Sequence, residues 1–324
     1  MTRFLPVGVG FVVLAAALWG TTGAAAAMAP GIGPLAIGAA AMGIGGLLQA
    51  VVACRVIVRH RRGLIGQWKV LLPSAIAVAV FPLAFYSSMR LAGVAVGTVV
   101  TIGSAPAVAA VIERIADRTP LTRRWAAGAA TGGLGVLALV MASHTGSPLG
   151  ASGPQTLIGV ALAILAGITY ALYSWGAART MRTGLPSQPV MGAVFGLGGL
   201  LLLPVIAITG GPVIASLGNI AVTAYLVVIP MFVGYLLFGR GLASIAASTA
   251  TTVSLLEPAV AALIAVVVLG EQLPPVGWVG LGLLFISLLI TATAHDENAL
   301  GDVVRARNAP GGPVDDRAAD LAMS

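Results

Sequence analysis

One acidic residue stands alone in a long apolar stretch of this sequence. Glu257 is the only charged residue between positions 243 and 269. A carboxylate near the centre of a membrane helix costs roughly 2.5–3.5 kcal/mol on insertion scales, and such acids usually face a cavity and handle a proton, an ion or a substrate. The alternative is a structural acid that hydrogen-bonds a neighbouring helix or pairs with an arginine.

Proline and glycine residues lie where a break in a helix would expose polar backbone groups. Pro258 follows Glu257 directly, and Pro106 lies in another apolar stretch. Proline removes a backbone donor and can kink or break a helix, and transporters use broken helices to line a cavity. We predict helix breaks or hinges at Pro106, Pro258 and Gly20. Because burial disfavours the charged form of a carboxyl group, Glu257 could exchange a proton or bind an amine there.

Aromatic and hydroxyl side chains within the apolar stretches are further candidates for a substrate or proton pathway. Trp19 lies away from the interfaces where tryptophan is usual, and it could stack a substrate as readily as pack in the core. Tyr170 could line the opposite side. The hydroxyls of Thr101, Ser104 and Thr252 could replace water around a polar substrate, although Ser and Thr also hydrogen-bond within and between helices.

Composition predicts the class of protein that holds these residues. The chain has 324 residues, of which 58% are hydrophobic and 8% charged, whereas a soluble domain carries about 25% charged residues. We therefore predict an all-α integral membrane protein. The net charge is +7, and the basic residues lie between apolar segments, where such residues fix orientation. We therefore expect the lipid bilayer as a partner and no nucleic acid.

Several chemical functions are disfavoured by what the sequence lacks. Cys54 is the only cysteine, which excludes an intrachain disulfide or a multi-cysteine metal site. The three histidines all lie outside the apolar segments, and no phosphate-binding GxxxxGK[ST] motif is present. We expect no cofactor, no metal and no ATP-driven motor, and an intramembrane enzyme is the weaker alternative.

Ten apolar segments are long enough to cross a bilayer as helices, which takes about 17–25 residues. They cover positions 5–28, 33–54, 70–89, 92–113, 125–143, 156–178, 188–209, 220–239, 242–268 and 275–294. Residues 295–324 are polar and rich in Gly, Pro and Asp, which predicts a disordered cytoplasmic tail.

Basic residues predict the orientation of these segments. Thirteen lie on one side, at the N-terminus and in the loops after the second, fourth, sixth and eighth segments, and only Arg90 lies on the other. The positive-inside rule then places both termini in the cytoplasm, in a plasma or inner membrane.

The sequence also contains an internal repeat. Pro106-Ala-Val-Ala-Ala recurs at 258–262, an offset of 152 positions, and Trp19 pairs with Tyr170 at an offset of 151. We predict two halves of five helices, 1–145 and 146–294, so the first segment is retained and is not a signal peptide. An odd number of helices inverts the second half. Inverted repeats are typical of transporters, whose substrate sites lie near the membrane midplane between the halves.

At this point the sequence resembles the drug/metabolite transporter superfamily, and its EamA-type branch in particular, over about residues 10–294. The matching pieces are Ala17-Leu18-Trp19-Gly20, the helices of Pro106 and Pro258, Tyr235-Leu236-Leu237-Phe238, Leu255-Leu256-Glu257-Pro258 and Leu269-Gly270-Glu271-Gln272-Leu273. The first half departs from this pattern, since residues 114–118 replace the Leu-Gly-Glu end of its fourth helix. We therefore expect no symmetric gate at that loop.

The resemblance implies a ten-helix inner-membrane protein with both termini in the cytoplasm. It implies a secondary transporter of small metabolites or amino acids, an exporter that works by alternating access, with proton exchange as the simplest coupling. An uptake carrier is the nearer alternative. The expected partners are a small-molecule substrate, lipid and protons. The sequence does not distinguish a homodimer from a monomer.

For two more residues the sequence predicts structural roles. Tyr86 lies close to the predicted outer end of the third segment, where tyrosine usually anchors a helix at the interface. Glu113 lies beside four arginines at the predicted cytoplasmic end of the fourth segment, so we expect it to pair with them.

Overall fold

The computed structural model describes residues 7–118, 122–143, 154–269 and 274–307, and in these ranges the chain is helical with short connections and no strand. The helices are α1 (Val7–Trp19), α2 (Thr22–Ala27), α3 (Pro34–Gly66), α4 (Trp68–Ala92), α5 (Val94–Ile112), α6 (Arg123–Ser143), α7 (Pro154–Met181), α8 (Ser187–Thr209), α9 (Leu217–Leu226), α10 (Tyr235–Leu242), α11 (Ala247–Val253), α12 (Leu256–Leu269) and α13 (Pro275–Arg307). A π-helical segment, Glu113–Asp117, extends α5, and another, Val227–Gly234, joins α9 to α10.

Each predicted apolar segment coincides with one helix or with consecutive helices, which confirms the all-α class. Eight stretches of the described chain are long and apolar enough to cross a membrane, and the apolar part of α13 is shorter. The eight are Val7–Ala26, Pro34–Gly66, Trp68–Ala92, Val96–Asp117, Pro154–Met181, Ser187–Thr209, Leu217–Leu242 and Ala247–Ile264. The protein is therefore a multi-pass membrane protein, and the count of ten crossings stays a prediction.

The end of the chain differs from the expectation of a disordered tail from residue 295. The α13 backbone continues as a helix to Arg307. The rest of the predicted tail, 308–324, and the predicted boundary between the halves at 145/146 lie outside the described residues.

The helices pack in a pattern that is unchanged when the two halves are exchanged. The second and seventh predicted segments pack together as α3 and α8, the fifth and tenth as α6 and α13, and the fourth and ninth as α5 and α11. Contacts between non-equivalent segments match as well, because α4 packs on α7 while α1 packs on α10 and the π-helical segment before it. An internal repeat produces this kind of symmetry.

Helix interruptions occur at Gly20 and three to four residues before Pro258. Gly20 and Thr21 separate α1 from α2, and Ser254 and Leu255 separate α11 from α12. Pro258 consequently lies in the first turn of α12, where a backbone N–H would have no partner within the helix.

The third predicted break, at Pro106, is absent. The α5 helix is continuous through Pro106 and leaves α-helical geometry only at Glu113–Asp117. Neighbouring helices and small backbone adjustments can satisfy the groups that a proline frees in a membrane helix, and α5 packs against α4, α6, α7 and α11.

Candidate functional site

A narrow cavity lies between the two halves, beside both helix breaks. Its volume is about 40 Å³, enough for a small amount of water and well below the roughly 300–1,000 Å³ of a typical small-molecule pocket. The lining residues are Trp19, Thr22, Gly38, Ala41, Met42, Phe81, Pro82, Phe85, Tyr86, Ile102, Tyr170, Met231, Tyr235 and Glu257. In this conformation, therefore, the cavity is closed to a metabolite.

Among the described residues that line the cavity, Glu257 contributes the only carboxylate. The residue lies in the first turn of α12, where its backbone N–H donates to the Ser254 carbonyl at 2.9 Å. Its side chain is partly exposed, and within the described ranges the carboxylate has no hydrogen-bond or ion-pair partner. The positive end of the α12 dipole favours a negative charge at this position. Pairing of Glu257 with an arginine, which the sequence left open, is absent from the described part of the chain.

Trp19 packs in the core and also lines the cavity, while its stacking against a substrate stays a prediction. The indole Nε1 donates to the Pro230 carbonyl at 3.0 Å, which fastens α1 to the second π-helical segment. The ring centroid lies 4.8 Å from that of Tyr235 and 5.2 Å from that of Phe238. Trp19 also makes an edge contact with Tyr170, its predicted repeat counterpart, at 6.3 Å.

Tyr170 joins the cavity wall to the break in the second half. Its hydroxyl donates to Ser254 Oγ at 2.7 Å, and Ser254 Oγ donates to the Ala250 carbonyl at 2.9 Å. Next to it the hydroxyls of Tyr173 and Tyr235 share a hydrogen bond of 2.8 Å. These tyrosines are buried, and their hydroxyls are engaged within the protein.

The three predicted hydroxyl residues bond the backbone and are not among the cavity-lining residues of the described chain. Thr101 Oγ1 donates to the Ala163 carbonyl at 3.0 Å and so links α5 to α7. Ser104 Oγ donates to the Thr101 carbonyl at 3.1 Å, and Thr252 Oγ1 donates to the Ser248 carbonyl at 2.8 Å. This is the use of Ser and Thr within and between helices that the sequence also allowed. Contact of these residues with substrate stays a prediction.

Tyr86 has a different place from the interfacial anchor expected of it. It lines the cavity, and its hydroxyl is buried without a hydrogen-bond partner in the described chain. Gly38 makes room for the ring, because a Cβ at Gly38 would lie 2.7 Å from Tyr86 Cδ2. The helical spacing of Phe81 and Phe85 in α4 could have indicated a cavity wall beside Tyr86, because their rings stack with centroids 5.5 Å apart.

Glu113 has a role across the two halves that the sequence did not predict. The residue is 4% exposed, and Oε1 accepts hydrogen bonds from the backbone N–H groups of Ala247 at 2.7 Å and Ser248 at 3.3 Å. These are the first residues of α11, and Ala246 before them has no side-chain acceptor to cap the helix. Glu113 therefore satisfies two N–H groups that α11 itself leaves without partners.

Asp117 makes a second connection between the halves. Trp175 Nε1 donates to Asp117 Oδ2 at 2.8 Å, and the guanidinium groups of Arg179 and Arg182 bind the same carboxylate. Arg179 also lies over the Trp175 ring, 5.5 Å from its centroid. Sequence reasoning missed this cluster, although it lies in the segment that departs from the EamA pattern and beside two arginines spaced three apart at the C-terminal end of α7.

Comparison with known proteins assigns the chain to a family. The chain matches the model of the EamA-like transporter family twice, over residues 6–141 and 157–293. The chain belongs to the EamA-like transporter family. The two matches confirm the EamA resemblance and the two-repeat architecture.

Relatives of this EamA protein are named as transporters. The chain is 33% identical over 288 residues to the uncharacterized transporter YwfM of Bacillus subtilis (strain 168), covering 88% of this chain and 93% of the relative. An uncharacterized transporter of Clostridium kluyveri is 28% identical over 149 residues, covering 45% of this chain and 47% of the relative.

A solved structure shares the fold of this EamA protein. One crystal structure superposes with a TM-score of 0.73 at 18% identity, covering 90% of this chain and 98% of the other. Together with the family match, these relatives identify a membrane transporter that acts on small molecules within a lipid bilayer.

Proposed function

We propose that this EamA protein is a secondary transporter that exports small metabolites or amino acids across the cell membrane by alternating access, in exchange for protons. The observation that carries the proposal is the carboxylate of Glu257, which lacks a partner in the described chain and lines a cavity between the two halves.

The symmetric packing supports an arrangement of two inverted five-helix halves with ten crossings. In that arrangement the arginine-rich loops face the cytoplasm together with both termini. The cavity then lies between the halves, where transporters of this architecture hold their substrates.

The size of the cavity and the helix breaks beside it support alternating access. A volume of about 40 Å³ must widen before a metabolite can enter. The breaks at Gly20–Thr21 and at Ser254–Leu255 give each half a place to bend. Pro258 lies just after the second break. Glu113 and Asp117 connect the halves at the arginine-rich end, so opening toward that side requires these contacts to separate.

Proton exchange is the coupling that an unpaired membrane carboxylate supports. Glu257 would accept a proton from water when the cavity opens to one side and release it when substrate or water arrives from the other. Because the proton gradient of an energised cell membrane is directed inward, exchange drives substrate outward. An uptake carrier would use the same cavity with the direction reversed.

Efflux from proteoliposomes tests this function. Vesicles loaded with amino acids and amines would be assayed with and without a pH gradient, for the native protein and for Glu257→Gln. We expect the native protein to release at least one solute faster when protons can enter in exchange. The Glu257→Gln variant should be expressed and folded but lose transport or its dependence on pH.

A matched control is Glu113→Gln, which removes a buried carboxylate that is not among the cavity-lining residues. This variant should keep the pH dependence even if it is less stable. Transport by Glu257→Gln that is unchanged across pH would refute the proposed role of Glu257.

A further inference from the structure

We infer that the cavity selects organic cations, with an ammonium head held by Glu257 and an apolar body held by the aromatic wall. This inference rests on the proposed transport function and narrows its substrates from metabolites in general to amines.

The charge of the cavity wall favours a cation. Glu257 is its only ionisable acid or base among the described lining residues, apart from tyrosine hydroxyls, and no Lys, Arg or His lines it. The charged groups of the Asp117 cluster pair with one another rather than with the lining. An anionic substrate group would meet a carboxylate and no opposite charge, whereas an ammonium would gain an ion pair shielded from water.

Most hydrogen-bond donors of the wall are already used. The Trp19 indole N–H donates to the Pro230 carbonyl, and the Tyr170 hydroxyl donates to Ser254. The Tyr235 hydroxyl shares its hydrogen bond with Tyr173. A carboxylate on the substrate needs several donors to replace its water, and among the described lining side chains the only donors without a partner are the hydroxyls of Tyr86 and Thr22.

Unused acceptors in the wall match an ammonium instead. Besides the Glu257 carboxylate, the buried oxygens Tyr86 Oη and Thr22 Oγ1 have no hydrogen-bond partner in the described chain, and both residues line the cavity. A primary ammonium has three N–H donors and no acceptor. The two hydroxyls can accept from such a head, and because hydroxyls can also donate, the preference for a cation over an anion rests on the Glu257 carboxylate.

The aromatic rings of the wall suit the same ligand. Phe81 and Phe85 stack nearly parallel, with 9° between their planes, and Phe81 lies 5.7 Å from Tyr170. Aromatic faces attract cations electrostatically and also pack against hydrocarbon. An amine with a branched or aromatic body would satisfy both parts of the wall, whereas the carboxylate of a zwitterionic amino acid would find no cationic partner in the described lining.

Three ligands with one hydrocarbon skeleton separate these cases. Isopentylamine carries an ammonium, 4-methylpentanoate carries a carboxylate, and leucine carries both. Binding of each to the full chain in lipid nanodiscs would be measured by titration calorimetry. Because a charge-assisted hydrogen bond contributes more than a neutral one, we expect isopentylamine to bind at least ~10-fold more tightly than the other two.

Variants assign the selectivity to the cavity. Glu257→Gln should weaken isopentylamine binding by ~10-fold or more without weakening that of 4-methylpentanoate, which no longer meets a like charge, and Tyr86→Phe should weaken isopentylamine binding by ~2–10-fold. Glu113→Gln should keep the native ranking of the three ligands.

The native ranking alone keeps the inference falsifiable if a variant fails to fold. Binding of leucine or 4-methylpentanoate as tightly as isopentylamine would overturn the inference, and so would an absence of isopentylamine binding. Efflux of leucine with Glu257-dependent proton exchange would leave the proposed transport intact while removing the preference for amines. Absence of any transport would instead refute the function itself.

Discussion

Gly20 lies directly against the backbone of Glu257. A Cβ at Gly20 would stand 2.9 Å from the Glu257 carbonyl oxygen and 2.7 Å from Val260 Cβ. Only glycine allows two chain segments to approach so closely without displacement. The break in the first half therefore meets the start of α12 in the second half, next to the carboxylate that lines the cavity.

Replacement of Gly20 by alanine should destabilise this contact. The new methyl group must push Val260 or the α12 backbone aside, and overpacking of this kind costs about 1–3 kcal/mol. Thermal unfolding in detergent should show a lower midpoint for Gly20→Ala than for the native protein, together with slower transport. The matched control is Gly23→Ala, because nothing lies within 4 Å of a Cβ at that exposed position. Equal unfolding midpoints for the two variants would contradict the contact.

The indole nitrogen of Trp19 should matter separately from its ring. Trp19→Phe keeps an aromatic ring beside Tyr235 but removes the hydrogen bond to the Pro230 carbonyl. We expect a loss of about 1 kcal/mol or more in the free energy of unfolding. Trp278→Phe is the control, since Trp278 is 53% exposed. A Trp19→Phe protein as stable as the Trp278→Phe protein would show that the hydrogen bond contributes nothing.

Asp117 should influence conformation more than stability. Its partners Arg179 and Arg182 are partly exposed, with 41% and 48% of their side chains accessible, and such ion pairs contribute about 0–1 kcal/mol. Asp117→Asn should lower stability little but favour separation of the halves at the arginine-rich end.

Thiol labelling can detect that separation. In a Cys54→Ser background, a cysteine introduced at the cavity residue Ala41 should react faster with a membrane-impermeant reagent added from the arginine-rich side when Asp117 is replaced. Arg114→Gln is the control, because exposed Arg114 has no ion pair in the described chain. Unchanged labelling rates would exclude Asp117 as a contact that holds this side closed.

The parts of the fold that depend on local composition could be predicted from the sequence. Long apolar segments become helices wherever the backbone is hidden from water, so all ten segments have helical counterparts. The repeat offset paired Trp19 with Tyr170, and the two rings are in contact. The position of Glu257 in an otherwise uncharged stretch identified the carboxylate that lines the cavity.

Features that depend on contacts between distant residues could not be read in the same way. Glu113 caps α11 from 134 positions away, and no local pattern specifies which helix end it reaches. Pro106 lies inside a continuous helix, whereas Pro258 lies in the first turn of one. Packing around α5 outweighs the local tendency of Pro106 to break the helix. Thr101 and Ser104 have the composition of a polar pathway, but their partners are backbone carbonyls.

The movement of protons during transport tests the central role of Glu257 most directly. Proteoliposomes with a pH-sensitive dye inside would be loaded with a substrate found in the efflux screen and diluted into substrate-free buffer at equal pH. As substrate leaves through the native protein, protons should enter and acidify the lumen, and Glu113→Gln should do the same. Glu257→Gln should produce no transport-linked acidification. Substrate efflux through the native protein without a change in lumenal pH, or equal acidification with Glu257→Gln, would contradict the account.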